Sequence, residues 1–423
     1  MPDTIFMIYA DILVIGAGAS GLMAARELSA KGKKVIIIEA RDRAGGRIDT
    51  LPAKHFSMPV EAGAEFVHGN LELTLQLLRE SNIPYTKVQG SMLRKRGGKW
   101  QESEEEIVGW DEMMDKMETL KEDMTLSYFL NSFFKEERYT GLRQSAIQFA
   151  QGFDVANEHD ASVMELRKEW EHEEEEQYRI PGGYMELIDA LTTRCLKQHC
   201  EIHFSEAVSK ITWNRKRVEV TTVNNVTFGA EQLIITVPIS ILQKEQMITF
   251  VPAIPDKLNA AKQIGFGGVI KVLIEFEEAF WQDVRNDALF FFSEERVPTW
   301  WTQHPAESKL LTGWLGGPRA IAMQDYAPEQ VLDIALQSLD AIFNIKLPPI
   351  TAWHVANWQK EPYTLGAYSY NTIQSKNAKE ILKAPVENTI YFAGEAIYTG
   401  DAQGTVEAAL VSGKEVAELI LKE

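Results

Sequence analysis

The chain of 423 residues reads as an α/β protein: a Rossmann-like domain assembled from separate stretches, interleaved with a second domain of mixed β-sheet plus helices. Three observations predict it. A short apolar run enters a glycine cluster and then a helical pattern within the first 31 residues, and the last 35 residues repeat that order. Between them lie an acidic helical region and a series of strands. A chain this long also exceeds one ordinary core, so two domains are expected. Their expected extents are 1–84, 185–265 and 385–423 for the first, and 85–184 and 266–384 for the second.

Each element has its own warrant. ADILVIG (10–16) suits a buried parallel strand running into glycine. Residues 20–31 place Leu22, Ala25 and Leu28 at helical spacing, and KVIIIE (34–39) is a second apolar strand. Residues 100–180 change character, with dense charge and helical spacing, as in WDEMMDKMETLKEDM. From 101 to 180 there are 22 acidic residues against 8 basic ones. Its extreme, EHEEEEQY (171–178), reads as a solvated helix face, the alternative being attraction of a cationic substrate. PGGY (181–184) is a turn before the helix MELIDALTTRCL. Residues 208–238 alternate as an antiparallel meander, with turns at 214–217 and 224–225. GVIKVLIEF (268–276) and the stretches around 310–315 and 351–357 are further strands. The chain closes with the strand NTIYFAG, a glycine-bearing loop and the helix TVEAALVSGKEVAELIL.

Bulk chemistry excludes several functions. A formal net charge of −18 argues against a nucleic-acid partner. Cys195 and Cys200 are not a CxxC pair and read as free thiols. The eight histidines have no HxxxH or HExxH spacing, so no metal site is expected. The N-terminal MPDTIFMIYA lacks a basic residue before its apolar stretch, and no run approaches the roughly 18 apolar residues of a membrane span. The expectation is a soluble, cytoplasmic monomer or homodimer with no membrane anchor.

Gly16-Ala17-Gly18-Ala19-Ser20-Gly21 fits GxGxxG between a strand and a helix. There Gly16 permits a tight turn, Gly18 admits a pyrophosphate against the backbone, and Gly21 allows close packing of helix on strand. Glu39 ends the second strand, where an acid can accept from a ribose hydroxyl. These residues do not choose between NAD and FAD. The stretch EARDRAGGR (39–47) adds Gly45 and Gly46, a side-chain-free backbone, and Arg47, a planar fork suited to phosphate oxygens.

With that stretch, the chain resembles the flavin-containing amine oxidases, the monoamine and polyamine oxidase group. The likeness extends through EAGAEFVHG (61–69), RIPGGYMELIDAL (179–191), the region 200–255, NWQKEPYTLGAYSY (357–370) and IYFAGEAIYTGDAQGTVEAALVSG (390–413), and is weakest over 85–178. It implies an FAD-binding Rossmann-like (GR2-type) domain. It also implies that FAD lies against the glycine loop, Glu39, Ala40, Arg41 and the GGR residues. Gly63, Ala64, Glu65 and Phe66 would pass beside the flavin, Val208 would meet the adenine, and Trp358 would pack near the ring. Gly394 and Glu395 would face the pyrophosphate or ribityl region. Gly404, Thr405 and Val406 would bring a helix N-terminus to the flavin, where negative charge develops on reduction. Ala367 stands where monoamine oxidases carry a flavin-linking cysteine, which implies non-covalent FAD.

The implied reaction is oxidation of an amine to an imine by hydride transfer to flavin N5. The imine hydrolyses to an aldehyde, and O2 or another acceptor reoxidises the flavin, O2 giving H2O2. Lys271, a lone lysine in an apolar strand, matches the family lysine that holds a water against N5; the plainer alternative is a lysine snorkelling from an edge strand. Tyr368 matches one wall of the aromatic pair around the amine. The second wall offers Tyr398 and Asp401, the latter either binding a second ammonium or capping the next helix. His68 could reach the substrate. The fold also serves L-amino-acid oxidases, which would need a pocket arginine from among Arg143, Arg285 and Arg296, and desaturases or protoporphyrinogen oxidases. A flavin-bearing interaction protein with acidic helices for a basic partner is the reading from another class.

Overall fold

The computed structural model describes residues 7–102, 107–171 and 176–422. The centre of the acidic run at 171–178 lies outside them.

Five parallel strands form the first sheet, in the order Glu201–His203, Val35–Ile38, Ile12–Ile15, Gln232–Ile235, Ile390–Phe392. Its strands come from the beginning, the middle and the end of the chain, so the two ends meet in one sheet. The inner strands are almost wholly apolar because both faces are covered, whereas the edge strand Glu201–His203 is largely polar. Ile12 and Val14 pack with Leu22, Leu187 and Leu410 of the helices Ala19–Ser29, Met185–Lys197 and Val406–Leu421. The alternate residues Leu13 and Ile15 pack with Val208, Ile211 and Val220 of a second sheet. That sheet holds the antiparallel strands Val208–Asn214, Arg217–Thr222 and Thr227–Ala230, flanked by Ile8–Tyr9 and Thr249–Val251. The expected meander therefore ends earlier than its sequence reading. Gln232–Ile235 leaves it to join the parallel sheet, and its unbroken LII is the pattern of a strand buried on both faces.

The other large sheet has seven strands, ordered Ile350–Asn357, Val269–Phe276, Leu310–Gly316, Thr299–Trp301, Ala288–Phe292, Ser91–Arg96, Lys99–Glu102. Ile270, Val272 and Ile274 face the helix Pro328–Phe343. Of the alternate residues of that strand, Val269 packs with Val155, Trp358 and Ala367, and Lys271 reaches Gly63 and Glu65. Val269–Phe276 has a partner strand on each side, so Lys271 does not sit on an edge, which corrects the snorkelling alternative.

Four helices, Trp110–Glu118, Leu126–Phe133, Thr140–Gly152 and Val163–Glu171, bury Met113, Phe129, Ala146 and Leu166 against one another. The region 100–180 is not helical throughout, however. It begins within the strand Lys99–Glu102 and ends with Gln177–Arg179, which pairs antiparallel with Phe66–His68. That pairing sets Arg179 opposite Phe66. Both cysteines are free and buried. Among the described residues no helix is long and apolar enough to cross a membrane.

Candidate active site

A continuous cavity of about 1850 Å³ opens at the carboxyl ends of the parallel strands and runs on beneath the seven-stranded sheet. A crevice in that position is the usual ligand site of an open α/β sheet. It is lined by Lys271, His68, Tyr368, Tyr398, Asp401 and every residue expected to hold the cofactor except Gly21.

Gly21 acts from behind the wall. A Cβ there would lie 2.0 Å from the Gly16 carbonyl oxygen, so the helix Ala19–Ser29 reaches the strand only because residue 21 has no side chain. The helix has no side-chain cap at its N-terminus, and the buried Ser20 hydroxyl has no hydrogen-bond partner. Unfilled donors and an orphaned hydroxyl at a helix N-terminus fit a phosphate. Glu39 is buried and already engaged: Ala17 N donates to Oε2 (2.7 Å) and Arg41 N to Oε1 (2.9 Å).

Gly45 and Gly46 have φ of 105° and 59°. These left-handed conformations carry the chain back against the first loop, where Gly45 N donates to Ala17 O (2.9 Å) and Gly18 and Gly45 form a parallel bridge. The two glycine loops thus make one floor of backbone. Arg47 leaves it with Nη1 on Ala367 O (2.7 Å) and on Glu395 Oε2 (2.8 Å). Glu395 is itself buried and accepts from Ser369 N (3.0 Å), so it orients the arginine fork. Arg41 reaches Gly46 O and Thr364 and stacks over Trp358, whose Nε1 donates to Ala62 O (2.9 Å). Val208 and Ala40 line the cavity beside them. Together these residues fit an extended dinucleotide.

Further in, Lys271 is 1% exposed and donates to Glu65 Oε2 (2.9 Å) and Gly63 O (3.1 Å). Glu65 Oε1 accepts from Arg179 Nε (3.1 Å), Trp301 Nε1 (3.0 Å) and Gln303 Nε2 (3.3 Å). Burial pushes the Glu65 carboxyl up, but the charges of Lys271 and then Arg179 outweigh it and hold the group below the usual carboxylate range.

Beyond Lys271 the walls become aromatic, with Phe66, Trp301, Trp314, Phe149, Phe153 and Tyr368. The Tyr368 hydroxyl donates to Phe153 O, and burial, followed by the charges of Asp154 and Glu169, holds its pKa well above the ordinary value. His68 meets Phe153 edge-on at 5.9 Å; its Nδ1 has no partner, and burial lowers its pKa to about 4, leaving a neutral imidazole. Asp154 and Glu169 share a hydrogen bond on the cavity wall, and Trp170 Nε1 donates to Asp154 (2.9 Å). Burial raises the Glu169 carboxyl to about 7.

Asp401 is exposed and Tyr398 half-buried. Asp401 does not cap the following helix, because Thr405 does, accepting from Ala408 N; the capping alternative is corrected accordingly. None of the three arginines considered for a substrate carboxylate lines the cavity, Arg143 being held on Phe134 O and Glu136 O and Arg285 on Glu102 and Asp287. Sequence reasoning missed Asp154, Glu169, Arg179 and Trp301. An acid inside the apolar stretch FDVA was the available sign of Asp154; Glu169 lay among many acids and had none. Among the described residues there is no group of three or more potential metal ligands.

A dinucleotide crevice continuous with an aromatic pocket and a buried lysine defines an α/β oxidoreductase. The family model for flavin containing amine oxidoreductase matches residues 19–421, and the chain belongs to that family; it is a flavin-dependent amine oxidoreductase. It is 26% identical to polyamine oxidase 4 of Oryza sativa subsp. japonica, over 96% of this chain and 88% of that protein. It is 27% identical to lysine-specific histone demethylase 1B of Mus musculus, over 97% of this chain but 52% of that longer protein. Among solved structures, wild-type putrescine oxidase bound to putrescine superposes with a TM-score of 0.82 at 20% identity, over 99% of this chain and all of that one. Cyclohexylamine oxidase from Brevibacterium oxydans IH-35A gives 0.81 at 17%, over 98% of this chain and all of that one.

Proposed function

We propose that this enzyme binds FAD without a covalent bond and oxidises a di- or polyamine to an imine, with O2 as acceptor and H2O2 as product. The observation that carries the reading is the position of Asp154 and Glu169: two hydrogen-bonded carboxyls on the wall of the same aromatic cavity that holds Lys271 and Tyr368. Relatives named for polyamines and a structural neighbour bound to putrescine support that substrate class. Ala367 offers no thiol to a flavin, and neither cysteine lines the cavity.

FAD would be held by the two glycine loops, Glu39, Arg41, Arg47 and the N-terminus of Val406–Leu421; when bound it supplies the hydride acceptor. The chain's own groups do the rest. Tyr368, Phe66 and Trp301 turn aromatic surface to the amine, which favours a cationic or polarised nitrogen. The neutral His68 leaves Nδ1 free to accept from an N–H of the substrate. Asp154 and Glu169 take the second ammonium and so set which carbon lies next to the acceptor. Lys271 keeps a positive charge at the junction of the two halves, where negative charge gathers on reduction.

The test is direct. Purified protein should be yellow and release FAD into the supernatant on acid precipitation. Anaerobic putrescine or spermidine should bleach it, and air should restore the colour with peroxide. Flavin retained in the pellet would remove the non-covalent assignment, and turnover confined to monoamines would remove the substrate class.

A further inference from the structure

Lys271 does not stand alone. It belongs to a buried charge chain, Lys271–Glu65–Arg179, drawn from three separate parts of the fold: an interior strand, the loop before Phe66–His68, and the strand Gln177–Arg179 that pairs with it. Each member is at most 10% exposed at its side chain. Both oxygens of the Glu65 carboxylate accept hydrogen bonds, Oε2 from Lys271 and Oε1 from Arg179, Trp301 and Gln303. Arg179 is fixed in turn by Thr302 O (2.8 Å) and His304 O (3.2 Å), and its guanidinium lies over the Phe66 ring at 4.6 Å. An ammonium has three N–H groups. Lys271 spends two of them, on Glu65 and Gly63 O, while its Nζ sits 5.3 Å from the Trp301 ring centre. The remaining N–H belongs to a residue on the cavity wall.

We propose that Glu65 is a positioning residue for reoxidation: with Arg179 behind it, it locks the Lys271 side chain so that one N–H is aimed into the cavity at the reduced flavin and the approaching O2. The proposal rests on the reading that Lys271 faces the bound flavin. Two cations against one anion leave the cluster with net positive charge. That charge favours the anionic reduced cofactor and the charge O2 acquires as it takes up two electrons and two protons to leave as H2O2. A flexible lysine in a cavity this large would satisfy its N–H groups in many ways; a pinned one loses no orientation at the moment of reaction.

The experiment compares FAD-loaded wild type with Glu65→Gln, Glu65→Asp, Lys271→Met and Glu65→Gln/Lys271→Met. The readouts are FAD content, anaerobic reduction by putrescine, reoxidation by O2 and the midpoint potential of the flavin. Glu65→Gln should reoxidise roughly ten- to hundredfold more slowly than wild type, a larger loss than it shows in anaerobic reduction by putrescine or in FAD content. In the Lys271→Met background the same substitution should slow reoxidation no further. The potential should rise in Glu65→Gln, which removes an anion, and fall in Lys271→Met, which removes a cation. Glu65→Asp keeps the charge but ends one carbon short of Lys271, so reoxidation should slow while the potential stays near wild type; this variant decides the matter if Glu65→Gln does not accumulate folded. Wild-type reoxidation in Glu65→Gln or Glu65→Asp, or an equal slowing by Glu65→Gln with and without Lys271, overturns the proposal. Wild-type reoxidation in Lys271→Met instead overturns the reading beneath it.

Discussion

Replacing Glu169 with glutamine separates a binding role for the carboxyl pair from a structural one. Asp154 is 4% exposed and anchored by the Trp170 indole, so the pair is firmly placed. Glu169→Gln keeps the size and the hydrogen bond to Asp154 but removes one charge. A charge-assisted hydrogen bond to an ammonium is worth about 1.5–3 kcal/mol, and about 1.4 kcal/mol is a factor of ten in affinity. KM for putrescine should therefore rise about ten- to hundredfold, with KM for an alkylamine of the same length changing less than about threefold. The pH dependence sharpens the test. Burial holds the Glu169 carboxyl at about 7, so the pair carries its full charge only above that value. Wild-type KM for the diamine should fall as pH rises from about 6 to about 8, and this limb should flatten in the variant. Initial rates of peroxide formation against substrate concentration across that range measure both effects. Equal losses for diamine and monoamine, or an intact pH limb in Glu169→Gln, would refute the reasoning.

Three further outcomes follow from the same geometry. Because the folded value for Glu169 lies above the unfolded 4.5, its contribution to stability is present in full below about 4.5 and lost as pH rises through about 7; the Tm of Glu169→Gln relative to wild type should rise between pH 5 and pH 8 in thermal melts. Gly21→Ala places a methyl 2.0 Å from Gly16 O and should destabilise the protein by about 1–3 kcal/mol while weakening FAD retention, read by denaturant unfolding and flavin release. Glu65→Leu strands two buried cations and should lower stability by about 3–5 kcal/mol, far more than Glu65→Gln, measured in the same unfolding assay on apoprotein.

Legibility differed between the two halves of the molecule. The nucleotide half is written in contiguous motifs. GAGASG, Glu39 and GGR each need a particular backbone or charge close by in sequence, so the spacing itself carries the chemistry. Even there, the bridge between Gly18 and Gly45 became visible only once both loops were folded. The substrate half is assembled across long separations. Lys271 stood out as a charge in an apolar strand, but its partner Glu65 is 206 residues away, and Arg179 is 114 residues from Glu65. Asp154 and Glu169 were hidden in a region where acid is common, since composition cannot say which carboxyl turns inward.

What the amino-acid sequence determined by itself is the α/β class, the nucleotide loops and the membership that those loops imply, because glycine geometry and strand periodicity are local properties. What only the tertiary structure decided is the charge chain behind Lys271, the acid pair on the cavity wall, and the exposed setting of Asp401 beside a helix that Thr405 caps. Those depend on which faces of distant elements meet. Burial then converts ordinary carboxyls into groups with shifted pKa and fixed direction.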